Sequence, residues 1–84
     1  MLTPKQWRDR SVDILTVIDH SLDHRGFPPT ILELSDALGM SKATVHHALG
    51  HMQRDGMIGW ERNSQRTIWA TEKGAELLEE ALHV

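Results

Sequence analysis

The stretch Ser35–Met52, SDALGMSKATVHHALGHM, constrains the fold more than any other part of the chain. It reads as the end of one helix, a tight turn and a second helix. The small side chain of Ser35 lets two helices approach, Gly39 permits a left-handed turn, and Ser41 caps the helix that follows. Val45, Ala48, Leu49 and Met52 recur at helical spacing and form an inward stripe. Opposite them lie Ala43, His46, His47, Gly50 and Arg54, with Lys42 and Thr44 flanking the first turn. Glycine inside a helix costs about 1 kcal/mol relative to alanine. Gly50 therefore signals either the close approach of another backbone or relief of crowding before the helix frays.

The flanking sequence supplies partners for this unit. Thr3-Pro4-Lys5-Gln6 is a capping box with proline at the first helical position, and Gly26 is a plausible stop. Between them Trp7, Ser11, Ile14, Leu15, Ile18 and Leu22 share one face, while Val12 and Val17 lie off it and are expected to be exposed. Phe27-Pro28-Pro29 forces an extended link. Thr30-Ile31-Leu32-Glu33 is a second capping box and opens a helix from Ile31 to Leu38, with Ile31, Leu34 and Leu38 facing the core.

After Asp55-Gly56 the period changes from helical to alternating. Ile58 and Trp60 point inward, Arg62-Asn63-Ser64-Gln65 forms a polar turn, and Arg66–Ala70 returns with Ile68 and Ala70 inward, a pattern expected of a β-hairpin. Thr71 then opens a last helix, where Ala75, Leu78 and Leu82 share a face beside Leu77 and Ala81, and Gly74 in its first turn is tolerable. The expected fold is mainly α with a small β-hairpin: a winged helix-turn-helix of three helices, a two-stranded wing and a C-terminal helix. One domain spans 1–84, with a three-helix core at 1–56, the wing at 57–70 and the terminal helix at 71–84.

The net charge of −3 looks wrong for a nucleic-acid binder until its distribution is followed. In residues 1–38, Lys5, Arg8, Arg10 and Arg25 face Asp9, Asp13, Asp19, Asp23, Glu33 and Asp36, giving −2. In 39–70, Lys42, Arg54, Arg62 and Arg66 stand against Asp55 and Glu61, giving +2, with His46, His47 and His51 besides. In 71–84, Lys73 opposes Glu72, Glu76, Glu79 and Glu80, giving −3. The only net-positive segment contains the second helix of the motif and the wing. Weak non-specific affinity and strong salt sensitivity are expected.

The span Leu2–Ile58 resembles the N-terminal DNA-binding domain of LexA repressors. The shared features are the LT start, the G-x-PPT link, the LG turn and the D-G-M-I ending before the wing. Ile68–Gly74, IWATEKG, is similar to the wing-to-helix junction of MarR-type regulators. The LexA resemblance implies that Ser41 and Thr44 hold phosphates, through hydroxyls and helix-end amides, while Lys42, His46 and His47 face bases. Ala43 could touch a thymine methyl, and Arg54 shares the same outward face. Arg62, Asn63, Gln65 and Arg66 at the wing tip would reach flanking backbone or an adjacent minor groove. LexA proteins continue into a self-cleaving domain with a Ser/Lys dyad; this chain stops at Val84, so no autoproteolysis is expected, and a stand-alone small repressor of the phage or bacterial type is the favoured reading, the alternative being a fragment of something longer.

Double-stranded DNA, as a palindromic operator, is thus the expected partner. A homodimer is expected through the terminal helix, with Trp69, Leu77, Leu78 and Leu82 as its interface. Alternation sends Trp69 outward as a partner contact, although it could instead fold under the terminal helix. The alternative function is a winged-helix module for protein contact with little or no DNA binding.

Other classes find little support. No acid/base pair or glycine-rich phosphate cradle argues for an enzyme. Cysteine is absent, which excludes disulfides and thiolate metal sites. His20/His24 and His47/His51 are spaced i,i+4, but neither pair has a third ligand at a telling spacing, so no metal or cofactor is expected. Protonation of His46 and His47 below pH ~6.5 would add positive charge to the outward face. No run approaches the ~18 apolar residues of a membrane span, and a cytoplasmic, nucleoid-associated location follows by default.

Overall fold

The computed structural model describes residues 2–83. Helix α1 (Pro4–Arg25) is followed by α2 (Ile31–Leu38), α3 (Lys42–Arg54), strand β1 (Ile58–Gly59), strand β2 (Trp69–Ala70) and α4 (Glu72–Leu82). Both capping boxes form: Thr3 and Thr30 accept from the backbones of Gln6 and Glu33, whose side chains in turn accept from the threonine N–H groups. Gly26 and Gly39 close α1 and α2 in the left-handed conformation, which a Cβ would oppose. Ser35 works in the turn itself. Its hydroxyl donates to the Met40 carbonyl and its own carbonyl accepts from Met40 N, so the turn is tied at both ends to one residue of α2.

A single core lies between the helices and the hairpin, made of Ile14, Leu15 and Ile18 from α1, Leu34 from α2, Val45, Ala48, Leu49 and Met52 from α3, and Ile58, Trp60 and Ile68. The inward stripe of α3 is the expected one, residue for residue. Among the described residues Ser11 and Ser21 are the buried polar ones; Ser21 donates to the Phe27 carbonyl at 2.7 Å and thereby anchors the extended link. Val17 is not exposed as expected but packs against the core, because α1 is covered on a broader face than its best apolar stripe. Leu22, expected on that stripe, is 41% exposed near the end of α1.

The hairpin is shorter than its alternation suggests. β1 and β2 pair antiparallel, Ile58 with Ala70 and Gly59 with Trp69, for two residues each. Beyond them the chain is held by the Thr67 side chain, whose hydroxyl accepts from Glu61 N (3.2 Å) and lies 2.9 Å from Glu61 O and 3.1 Å from Ser64 O. Ala70 shares the inward face with Ile58 but is exposed, since the core ends there and opens into a groove between α1 and α4. Gly74 is more than tolerated. A Cβ at this position would stand 2.1 Å from the Met57 carbonyl oxygen, so only glycine lets the first turn of α4 settle on the α3–β1 connection. Thr71 N donates to Met57 O at 3.0 Å, Thr71 Oγ1 to Gly56 O at 2.6 Å and Lys73 Nζ to Asp55 O at 2.7 Å across the same junction.

Candidate nucleic-acid interface

Helical geometry determines what α3 presents. With its core stripe inward, the 3.6-residue period directs Ala43, His47, Gly50 and Arg54 outward, His46 and Gln53 to one flank, and Thr44 and His51 to the other. Each flank is claimed by another element. On one side the chain from Trp60 to Arg62 runs along α3: Gln53 Nε2 donates to Trp60 O at 3.0 Å, and the His46 ring meets the Trp60 ring edge-on at 4.9 Å. On the other, His51 stacks on Trp7 of α1 at 3.8 Å and lies 3.3 Å from the Asp55 carboxylate. The outward strip lies between them, with Ala43, His47 and Arg54 exposed and Gly50 buried.

The N-terminal end of α3 is polar and open. Ser41 Oγ accepts from Thr44 N at 3.1 Å and donates to Thr44 Oγ1 at 2.9 Å, so the two hydroxyls are coupled beside the helix-end amides. Ser41, Lys42, Ala43, His46, His47 and Arg54 are all exposed, and Thr44 is half-buried. A cleft of about 820 Å³ separates the start of α2, Lys42, Ala43 and His46 of α3, and the wing from Arg62 to Arg66, with Trp60 and Ile68 also among its walls.

The wing residues fall into three groups. Asn63 and Gln65 stand exposed at the tip. Arg62 lies over the Trp60 ring, 5.2 Å from its centroid, and turns toward α3. Arg66 adopts φ 58° and points back into the protein, where it reaches Glu33 Oε1 at 2.9 Å and the Pro28 carbonyl at 3.1 Å and covers the Phe27 ring at 4.3 Å. Arg25 binds the same carboxylate at 2.9 Å and lies over the same ring at 4.7 Å. Both guanidiniums thus engage Phe27 and Glu33.

The Arg25 hydrogen bond, then the Thr30 N–H, and also Arg66 hold the Glu33 carboxyl well below its ordinary range. Sequence reasoning saw Glu33 only as a capping residue, and its two arginine partners were out of view because Arg66 lies 33 residues away in the chain. Trp7 and His51 were missed as a pair for the same reason.

The four residues expected at a dimer interface do not form one patch. Trp69, 48% exposed, neither folds under α4 nor joins the groove; it lies across Gly59 on the outer face of the hairpin, where a Cβ at residue 59 would fall 2.0 Å from its ring. Leu77 and Leu78 are half-buried against the core, while Leu82 is 70% exposed. Leu78 and Leu82 line, with Leu22, Ala70 and Ala75, an apolar groove of about 260 Å³ between α1 and α4. Among the described residues no helix is long and apolar enough to cross a membrane.

Comparison with known proteins points to the same fold. The chain is 32% identical over 78 residues to the LexA repressor of Lactobacillus helveticus, covering 92% of this chain and 38% of that protein. It is 36% identical over 72 residues to the LexA repressor of Ligilactobacillus salivarius, covering 84% and 35%. The chain therefore spans little more than a third of the length of these relatives. In structure it is similar to the M. tuberculosis transcriptional regulator MosR, with TM-score 0.69 and 29% identity over 98% of this chain and 54% of that one. A MarR family protein from Bacillus stearothermophilus shares the fold, with TM-score 0.60 and 24% identity over 94% and 63%. The family model of the LexA DNA-binding domain matches residues 2–67, and the chain belongs to that family.

Proposed function

We propose that this protein is a DNA-binding transcriptional repressor that inserts α3 into the major groove of a palindromic operator. The observation that carries the reading is the outward strip of α3, where Ala43, His47 and Arg54 are exposed and which lies in the only net-positive segment of the chain. The names of its relatives, LexA repressors and the transcriptional regulator MosR, support the same role. Such a role places it on DNA in the cytoplasm.

In this reading Ser41, Thr44 and the α3 amides seat a phosphate, as helix N-termini do. Lys42, Ala43, His46 and His47 meet base edges, Arg54 follows along the strip, and Asn63 and Gln65 touch flanking backbone. Arg66 contributes differently: bound to Glu33, it sets the position of the wing. No residue is given a catalytic role. Two copies would engage the two half-sites, joined through α4 and the groove beside it.

Gel shifts on the DNA upstream of the protein's own gene, at low salt, test the proposal. A retained duplex, weakened by Lys42→Ala and lost as salt rises, supports it. No shift for any duplex, together with no effect of Lys42→Ala, favours the protein-contact module, for which half-exposed Trp69 is the candidate contact.

A further inference from the structure

Gly50 occupies the centre of the outward strip of α3, yet it is buried. What covers it is the wing: Arg62 Nη2 lies 3.2 Å from where a Cβ at residue 50 would stand. The same guanidinium rests over the ring of Trp60, a residue only 5% exposed that is itself flanked by His46. The arginine is therefore held from two sides, by the notch that Gly50 leaves and by a ring fixed in the core. Its charged end is carried from the wing onto the face of α3.

Resting on the DNA-binding reading above, we propose that Arg62 is a specificity-determining residue that reads a base edge in the major groove as part of the α3 face. A wing arginine at the tip would instead meet flanking backbone or minor groove. The chemistry favours a guanine. Its O6 and N7 acceptors match the fork of a guanidinium, and neither Ala43 nor Gly50 has a side chain that could reach them. His47 and Arg54 border the same spot along the helix, so a duplex seated on α3 meets Arg62 at the middle of the strip. Gly50 acts as a positioning residue, since the space it leaves is where the guanidinium sits. Stacking on Trp60 reduces the freedom that a long side chain must otherwise lose on binding.

Selection of bound duplexes from a randomised pool, with the wild-type chain and with Arg62→Ala and Arg62→Lys, tests this assignment. The wild type is expected to enrich guanine at a position within each half-site. Both variants should lose that preference about tenfold or more while keeping the preferences elsewhere, because lysine retains the charge but not the fork. Uniform weakening on all sequences by Arg62→Ala, restored by Arg62→Lys, would identify a phosphate contact and overturn the assignment. An unchanged motif in both variants would overturn it equally. A wild-type chain that retains no duplex at low salt removes the DNA reading itself and this assignment with it.

Discussion

Gly74 and Glu33 each hold two parts of the chain together, and each does so by a property that no neighbouring residue type shares. At Gly74 the property is the absence of a Cβ, since the Met57 carbonyl occupies its place. Gly74→Ala should destabilise the fold by about 1–3 kcal/mol or more, the usual cost of forced overpacking, despite alanine's better helix propensity. A urea melt followed by circular dichroism measures it, and an unchanged midpoint would contradict the close approach. At Glu33 the property is charge. Its carboxyl sits below the ordinary value of 4.5 because of Arg25, the Thr30 N–H and Arg66. A depressed folded-state value means that its contribution is complete above the ordinary carboxylate range and is lost as the pH falls toward the depressed value. Thermal melts between pH 5 and 2 should therefore show less acid destabilisation in Glu33→Gln than in wild type. Glutamine keeps the capping box and removes only the ion pairs.

At the scale of elements, α3 and the wing act together. The wing strands are too short to stand alone, and what places them is the Arg66–Glu33 pair at one end and Gln53–Trp60 at the other. Ser41 caps α3, and Ser41→Ala should lower stability by about 1 kcal/mol, read from the denaturation midpoint. The histidines of α3 divide by flank: His51 is stacked on Trp7 beside Asp55, whereas His46 and His47 are exposed.

For the whole molecule, assembly turns on the face of α4. The α1/α4 groove and the exposed Leu82 are the apolar surface that α4 leaves uncovered. If two copies meet there, sedimentation at tens of micromolar should give twice the chain mass, and Leu82→Glu should return the monomer without loss of helicity. A wild-type monomer at that concentration would count against the dimer. Trp69 is on the other face of the hairpin and should tolerate substitution without changing the oligomeric state.

The order of elements, their caps and the inward stripe of α3 were all legible in the sequence, because each depends on residues within four positions of one another: Thr3 with Gln6, Thr30 with Glu33, Ser41 with Thr44. The alternation of Ile58, Trp60 and Ile68 likewise revealed their burial. Ala70 broke the rule only because the core ends beneath it. What the tertiary structure alone decided is which side chains meet across long separations. Arg66 looked like another tip residue until the fold brought Glu33 to it, and Gly50 left backbone approach and relief of crowding both open until the fold laid Arg62 against it. Local periodicity states which face a residue is on. It carries no term for what another segment places against that face, and at α3 the wing arginine settles what the helix presents.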